Sequence, residues 1–369
     1  MKRAVLALED GAWYEGFSFG ADHDAEGEVV FCTSMTGYQE ICTDPSYRGQ
    51  MVVLTYPLIG IYGVTAADAQ SRRPWVEALI VRDYYEDFSN WRAEESLHSH
   101  LQRWGVPAIY GVDTRALTRH LRTHGTMRAV LGVGAADEPA ALVERARGVT
   151  PLSEKNLVGE VTATAPYTVP PVKPDGDRKT PRVALVDCGV KGNIVRALST
   201  RGAEVVVLPA ASTAGHIMAQ WPDGVVFANG PGDPAALPGV VAAVRATLAT
   251  DLPLLGICLG HQVLGLAVGG RTSRLKFGHH GGNHPVRDNT SGRVYITSQN
   301  HEFQVEAASL PPDSGFFVSH VNLNDGSVEG IAHRTRPVFS VQYHPEASPG
   351  PQDNLYIFDR FLAACRKDR

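Results

Sequence analysis

One cysteine of this chain stands in a local setting that favours a nucleophile. Cys258 lies between Gly256 and Gly260, after the apolar run 252–257 and before the Leu-, Val- and Ala-rich segment 259–268. Two flanking glycines permit a sharp strand-to-helix turn that larger side chains would block. Such a turn pushes its residue outward to the start of the next helix, where the N–H groups and the dipole favour a thiolate. The pattern therefore predicts a cysteine that attacks a substrate.

A histidine and a carboxylate near the C-terminus can complete this chemistry. His344 and Glu346 follow the strand-like segment 338–343, and Pro345 between them ends the strand ladder. Together with Cys258 they form a possible set of nucleophile, base and orienting acid. A buried structural cysteine and an ordinary loop histidine are the alternative. The glycine frame and the His-Pro-Glu strand end favour the catalytic interpretation.

Composition limits the kinds of protein this chain can be. Its 369 residues suffice for two domains, and the net charge of −5 argues against a nucleic-acid binder. Glu9 and Asp10 interrupt the first apolar run too early for a signal peptide, and no run approaches the roughly 20 apolar residues of a membrane span. The five cysteines are odd in number and widely spaced, which predicts no disulfide framework and a cytoplasmic protein.

The segment 164–181 contains five prolines and is predicted to be an extended linker between domain 1–163 and domain 182–369. In the second domain, apolar strands alternate with helices, which predicts a mostly parallel sheet with helices on both faces and added β structure later. Sites in such sheets lie beyond the carboxyl ends of the strands, where Gly230 and Cys258 are placed. The first domain is predicted to be α+β. Expected strands there include 4–8, 13–19, 28–33, 50–55 and 76–81, and expected helices 93–104, 114–123 and 139–147.

These motifs resemble those of the class I (triad) glutamine amidotransferases. The resemblance rests on residues 256–262 (Gly-Ile-Cys-Leu-Gly-His-Gln), the distant His344-Pro345-Glu346, and residues 229–234 (Asn-Gly-Pro-Gly-Asp-Pro) after an apolar strand. It implies a flavodoxin-like glutaminase domain that releases ammonia from L-glutamine through a cysteine thioester. It also implies an oxyanion hole formed by the N–H groups of Gly230 and Leu259.

The chain also resembles a narrower family, the small subunits of carbamoyl-phosphate synthase, chiefly through motifs of the first domain. The similar segments are 33–40 (Thr-Ser-Met-Thr-Gly-Tyr-Gln-Glu), 43–47 (Thr-Asp-Pro-Ser-Tyr), 54–57 (Leu-Thr-Tyr-Pro), 111–115 (Gly-Val-Asp-Thr-Arg) and 277–286 (Phe-Gly-His-His-Gly-Gly-Asn-His-Pro-Val). The resemblance covers nearly the whole chain. It implies that the partner is a large synthetase subunit, which takes the ammonia to make carbamoyl phosphate for arginine and pyrimidine synthesis. No cofactor is expected in this chain, and ATP and metal are expected on the large subunit.

The resemblance also implies residue roles. Cys258 attacks the glutamine amide, His344 relays the proton and Glu346 orients the imidazole. The expected glutamine-binding residues are Ser46, Gly230, Gly232, Leu259, Gln262, Asn300, Glu302 and Phe303. Gln262 follows Cys258 by one helical turn and can face the same pocket, although a solvated helix glutamine is the alternative. Glu302 stands where the family often has glycine, which is compatible with backbone contacts if its φ is negative.

Several other interpretations remain open or are set aside. The cluster His279, His280 and His284 could bind metal, but the adjacent glycines favour a turn, and no metal site is predicted. Cys188 is expected to serve in packing. The rival functions are a stand-alone cysteine hydrolase of γ-glutamyl compounds, which would not need the first domain, and a non-catalytic docking subunit, against which the complete Cys258, His344 and Glu346 set argues.

Overall fold

The computed structural model describes residues 2–134, 138–172 and 180–366. The chain divides into two compact units. The first unit comprises Met1–Lys155 with Lys276–Gly281, and the second comprises Asn156–Leu275 with Gly282–Arg369.

The first unit is built around a closed β-barrel, which fits the predicted α+β class. Its strands follow the order β1-β2-β8-β6-β4-β3-β9 around the barrel, and β5 pairs with β7 in a separate small sheet. The elements are β1 (Arg3–Leu8), β2 (Trp13–Gly20), β3 (Ala25–Cys32), α1 (Tyr38–Thr43), β4 (Gln50–Leu54), β5 (Leu58–Ile59), β6 (Ala78–Ile80), β7 (Asp83–Tyr84), α2 (Leu97–Arg103), β8 (Pro107–Tyr110), α3 (Thr114–His124), β9 (Met127–Val133) and α4 (Pro139–Gly148).

Local sequence signals explain several boundaries in this unit. Gly11, with a φ of 102°, turns the chain between β1 and β2. The Asp113 side chain accepts a hydrogen bond from the Ala116 N–H and so caps α3. Helix α2 begins later than the predicted residue 93, because Ser96 caps it through the Ser99 N–H.

The second unit contains one mixed sheet in the order β10-β12-β11-β13-β14-β19-β18-β17-β15-β16. Its elements are α5 (Val158–Val161), β10 (Tyr167–Val169), β11 (Arg182–Asp187), α6 (Gly192–Thr200), β12 (Glu204–Pro209), α7 (Ala214–Met218), β13 (Gly224–Phe227), α8 (Pro238–Leu248), β14 (Leu254–Ile257), α9 (Leu259–Ala267), β15 (Thr272–Asp288), β16 (Val294–Val305), β17 (Phe316–Asn322), β18 (Val328–His333), β19 (Val338–Val341) and α10 (Tyr356–Cys365).

The central strands of this sheet, from β12 to β19, run parallel and are apolar on both faces, as predicted. Alternate residues of β11 enter opposite cores: Ala184 packs with α8 and α9, whereas Leu185 packs with α6 and α10. Helices cover both faces of these central strands, so each strand must be apolar on both faces, which explains its continuous run of Val, Leu and Ile. The parallel strands end at one edge, where the turn after β14 carries Cys258.

The segment predicted as a linker is partly structured. Strand β10 lies inside 164–181 and pairs antiparallel with β12, and residues 173–179 lie outside the described part of the chain. The hydroxyl of Thr162 donates to the Asp187 carbonyl, and the Ala163 N–H donates to the Asp187 carboxylate. These contacts tie the residues just before the segment to β11, and the chain divides into its two units after Lys155.

The histidine cluster does not form the predicted turn. His279, His280 and His284 all lie in the long strand β15, although Gly278 and Gly281 have positive φ values within it. In the first unit, Phe277 packs against Phe31 and the His280 ring stacks on Tyr47. These ring contacts hold the segment extended, which glycine content alone could not indicate. Among the described residues, no helix is long and apolar enough to cross a bilayer.

Candidate active site

The turn from β14 to α9 is a strained nucleophile elbow. Cys258 caps α9 with a φ of 54° and a ψ of −105°, a conformation that few non-glycine residues adopt. A Cβ atom on Gly260 would lie 2.0 Å from the Phe227 carbonyl oxygen, and one on Gly256 would lie 2.6 Å from the Gly260 carbonyl oxygen. Both glycines are therefore required by close backbone approach, as the sequence predicts.

The thiol of Cys258 is covered rather than exposed. It lies 3.5 Å from the Asn300 carbonyl oxygen of β16, to which it donates a hydrogen bond, and Cys258 is only 1% exposed. The expectation of an outward-facing thiol is wrong, because the edge strand β16 runs over the elbow.

His344 stands beside the thiol with its ring orientation fixed. Its backbone N–H donates to the Ser298 carbonyl, and its Nδ1 donates to Glu346 Oε1 at 2.7 Å. Nε2 is thus left as the nitrogen available for proton transfer, and it has no partner of full hydrogen-bond geometry among the described residues. Burial lowers the pKa of His344, but the charges of Glu346 and Cys258 outweigh burial and raise that pKa to about 10. The Cys258, His344 and Glu346 set predicted from sequence is therefore brought together.

A buried lysine, which the sequence analysis missed, completes the charge arrangement. Lys191 Nζ lies 3.1 Å from Glu346 Oε1 and also donates to the Ala347 carbonyl. Burial would raise the pKa of Glu346, but the Lys191 ammonium and the His344 imidazolium lower it to about 2. Lys191 follows β11 at the functional edge of the sheet, and that position was the available signal.

The Gly230 loop packs against the elbow. A Cβ on Gly230 would lie 2.0 Å from the Cys188 carbonyl oxygen and 2.9 Å from Leu259 Cδ2, so only glycine fits there. Gly232 has a φ of 87°, again a glycine conformation. The Leu259 N–H, at the first position of α9, has no partner within the helix. Gly230 and Leu259, the two residues expected to form the oxyanion hole, are therefore neighbours.

Of the residues expected to bind glutamine, Leu259 and Gln262 lie on α9, and Asn300, Glu302 and Phe303 lie on β16. The Gln262 side-chain amide donates to the Phe303 carbonyl at 2.9 Å and to Gln342 Oε1 at 3.2 Å. Gln262 is 3% exposed, so it is not a solvated helix glutamine. Asn300, Glu302 and Phe303 share β16, where the backbone of Glu302 is extended with a negative φ and its carboxylate pairs with Arg274. The condition under which Glu302 can stand in place of glycine, a negative φ, is therefore met.

The remaining predicted residues have simpler surroundings. Ser46 lies in the first unit on the short 3-10 helix Pro45–Tyr47, where its N–H donates to Asp44 Oδ1 at 3.0 Å, and its part in the pocket stays a prediction. Cys188 is fully buried in the core, and burial, reinforced by the Asp187 charge, raises the pKa of its thiol. It therefore serves in packing.

Comparison with known proteins supports the geometric interpretation. Residues 6–131 match the family model described as carbamoyl-phosphate synthase small chain, CPSase domain, and residues 184–364 match glutamine amidotransferase class-I. The carbamoyl phosphate synthase small chain of Symbiobacterium thermophilum is 52% identical, with 96% of this chain and 97% of the relative covered. That of Archaeoglobus fulgidus is 47% identical, with 100% of each covered.

Among solved structures, a glutamine amidotransferase of Thermotoga maritima is similar, with 17% identity and a TM-score of 0.38. The similarity covers 46% of this chain and 77% of that one. The full-length matches to curated relatives are decisive: the chain belongs to the family of carbamoyl phosphate synthase small chains, with a class I glutamine amidotransferase domain in its second unit.

Proposed function

We propose that this chain hydrolyses L-glutamine at Cys258 and delivers the ammonia to a separate large subunit that makes carbamoyl phosphate. The observation that supports this most is the buried arrangement in which Lys191 pairs with Glu346, Glu346 holds His344 Nδ1, and the imidazole faces Cys258. A packing cysteine and a loop histidine would have no reason to share such a charge arrangement. Family membership names the product that this chemistry serves.

The proposed reaction begins with attack of the Cys258 thiolate on the amide carbon of glutamine. The carbonyl oxygen gains negative charge, which the N–H groups of Gly230 and Leu259 stabilise. Losing one such donor costs about 2.7–4 kcal/mol in comparable enzymes. His344 then gives its proton to the departing nitrogen, the C–N bond breaks, and ammonia leaves a γ-glutamyl thioester.

Hydrolysis of the thioester reverses these roles. His344 accepts a proton from water, which attacks the same carbon, and the thiolate leaves as glutamate forms. A histidine whose pKa is about 10 holds its proton at neutral pH, which suits the ammonia-releasing step. Glu346 stabilises that imidazolium, and Lys191 keeps the Glu346 carboxylate ionised although it is fully buried.

We further propose that the protein is cytoplasmic and that this chain and the large subunit carry out different steps. This chain supplies ammonia without a cofactor, whereas ATP and metal act on the large subunit. Of the rival functions, a stand-alone hydrolase of γ-glutamyl compounds leaves the first unit without a role. A non-catalytic docking subunit leaves the ionised, buried Lys191, Glu346 and His344 without one.

The test is reconstitution of this chain with its large subunit, comparing L-glutamine with ammonium salts as nitrogen donors. The complex is expected to form carbamoyl phosphate from either donor, and the isolated chain to hydrolyse glutamine slowly. Equally fast ammonia release with and without the large subunit would instead indicate the stand-alone hydrolase. Failure of the complex to use glutamine, while ammonium still serves, would indicate the docking subunit.

A further inference from the structure

We propose that the ion pair between Arg274 and Glu302 is a positioning element that sets the affinity of this site for glutamine. Glu302 lies on β16 and Arg274 on the neighbouring strand β15. The inference rests on the proposed function, because it assumes that residues 300–303 form one wall of the glutamine pocket. Neither residue is a catalytic group, since each acts through the strand on which it lies.

The pair is buried on the side of Glu302. The Glu302 side chain is 7% exposed and that of Arg274 is 33% exposed, with Arg274 Nη2 on Glu302 Oε2. A buried carboxylate is stable only while a cation or several donors face it. Arg274 supplies such a cation to Glu302, and the pair restrains the lateral position of the strand.

The same guanidinium reaches the next residue. Arg274 Cζ lies 6.0 Å from the centroid of the Phe303 ring, a cation–π distance. The Phe303 carbonyl accepts the Gln262 amide at 2.9 Å, and the Asn300 carbonyl accepts the Cys258 thiol at 3.5 Å. Arg274 thus contacts two consecutive residues of β16, Glu302 and Phe303. The same part of β16 contacts both Cys258 and the side chain of Gln262.

Strand β16 has a particular need for such an anchor. It is the last strand of the sheet, so among the described strands it has a neighbour on one side only. Apart from the isolated bridge between Ser298 and His344, the outer edge of β16 has no neighbouring strand among the described residues, so side-chain contacts add restraint there. An ion pair beside the pocket wall restrains the part of β16 that must match the substrate.

The chain provides a matched control in a second ion pair between the same two regions. Arg271 immediately precedes β15 and pairs with Glu306, which immediately follows β16, at 3.2 Å. Their side chains are 76% and 36% exposed, and neither residue belongs to the proposed pocket. Arg271→Met removes the same kind of side chain from a solvated pair, which contributes little.

The experiment measures steady-state kinetics of the complex with the large subunit, using glutamine and, separately, ammonium chloride. Arg274→Met is expected to raise KM for glutamine by about tenfold, with kcat changed less than about twofold. Glu302→Gln removes the charge of the side chain but keeps its volume, so it should raise KM for glutamine less than Arg274→Met does. The double variant should have a KM no higher than that of Arg274→Met. Arg271→Met should match wild type, and ammonium-dependent synthesis should be unchanged throughout.

A wild-type KM in Arg274→Met would overturn the inference, as would an equal loss in Arg271→Met. A fall in kcat and in ammonium-dependent synthesis together would also overturn it, because that pattern indicates general misfolding. If Arg274→Met does not fold, the isosteric Glu302→Gln variant gives the same test. A wild-type complex that cannot use glutamine would refute the proposed function instead, so the two failures are distinguishable.

Discussion

Replacing His344 by asparagine tests the proton relay without dismantling its surroundings. An asparagine amide retains an N–H donor toward Glu346, and the Glu346 carboxylate keeps its Lys191 partner at 3.1 Å. The buried charges therefore stay compensated. What disappears is the basic Nε2 atom, which faces the thiol in the present structure.

The expected loss follows from the proton that His344 carries. Against the effect of burial, the charges of Glu346 and Cys258 raise the pKa of His344 to about 10, which favours the imidazolium that forms when Cys258 loses its proton, and asparagine cannot carry that proton. Positioned acid–base groups contribute about 10²- to 10⁴-fold in rate, or roughly 3–5 kcal/mol. We expect thioester formation in His344→Asn to slow within that range.

The assay is rapid-quench trapping of the γ-glutamyl thioester from radiolabelled glutamine, with saturating substrate and the large subunit present. Ammonium-dependent carbamoyl phosphate synthesis by the same preparation serves as the control for folding. Thioester accumulation within about threefold of the wild-type rate would refute the assignment of His344 as the proton relay.

Two further predictions concern stability. Gly260→Ala should cost about 3 kcal/mol and abolish glutamine use, because its Cβ meets the Phe227 carbonyl oxygen at 2.0 Å; Gly239→Ala, with nothing within 4 Å, should be neutral or stabilising in urea unfolding. Burial and the nearby His320 lower the pKa of His261 to about 3, so below pH 6.5 this histidine takes up a proton in the unfolded chain but not in the folded protein. The free energy of unfolding is therefore highest above pH 6.5 and decreases as pH falls. Between pH 7.5 and pH 5, His261 should lower the free energy of unfolding by about 2 kcal/mol, and His261→Gln should abolish this part of the pH dependence. Hydrogen exchange of second-unit peptides measures it, and equal pH dependence in both proteins would contradict it.

The elbow was predictable because its causes are local. Gly256 and Gly260 flank Cys258 within five residues, and the backbone contacts that require them follow from one sharp turn. The parallel sheet was predictable for a similar reason, since strands buried on both faces must be continuously apolar. The family resemblance, carried by short motifs, is confirmed by matches along nearly the whole chain.

The missed features depend on contacts between distant parts of the sequence. Lys191 meets Glu346 across 155 positions, and a lysine after a strand is ordinarily solvated. The burial of Cys258 depends on β16, whose Asn300 lies 42 positions further along the chain. Likewise β15 contains glycines that favour a turn locally, and only packing of Phe277 and His280 in the first unit reveals the extended form.

Glu302 shows how a departure from a family pattern can be explained only in three dimensions. In the sequence it is a charged residue where a small one is common. In the structure its backbone is extended, and its carboxylate is compensated by Arg274 from the neighbouring strand, 28 positions earlier. No periodicity could have paired these two residues.

The most direct test of the central claim is the nitrogen-donor specificity of Cys258→Ser in complex with the large subunit. A serine is close to the buried thiol in size and can also donate a hydrogen bond, but it lacks the acidity of the thiol. This complex is expected to make carbamoyl phosphate from ammonium at the wild-type rate and to make none from glutamine. Normal glutamine-dependent synthesis by Cys258→Ser would contradict it.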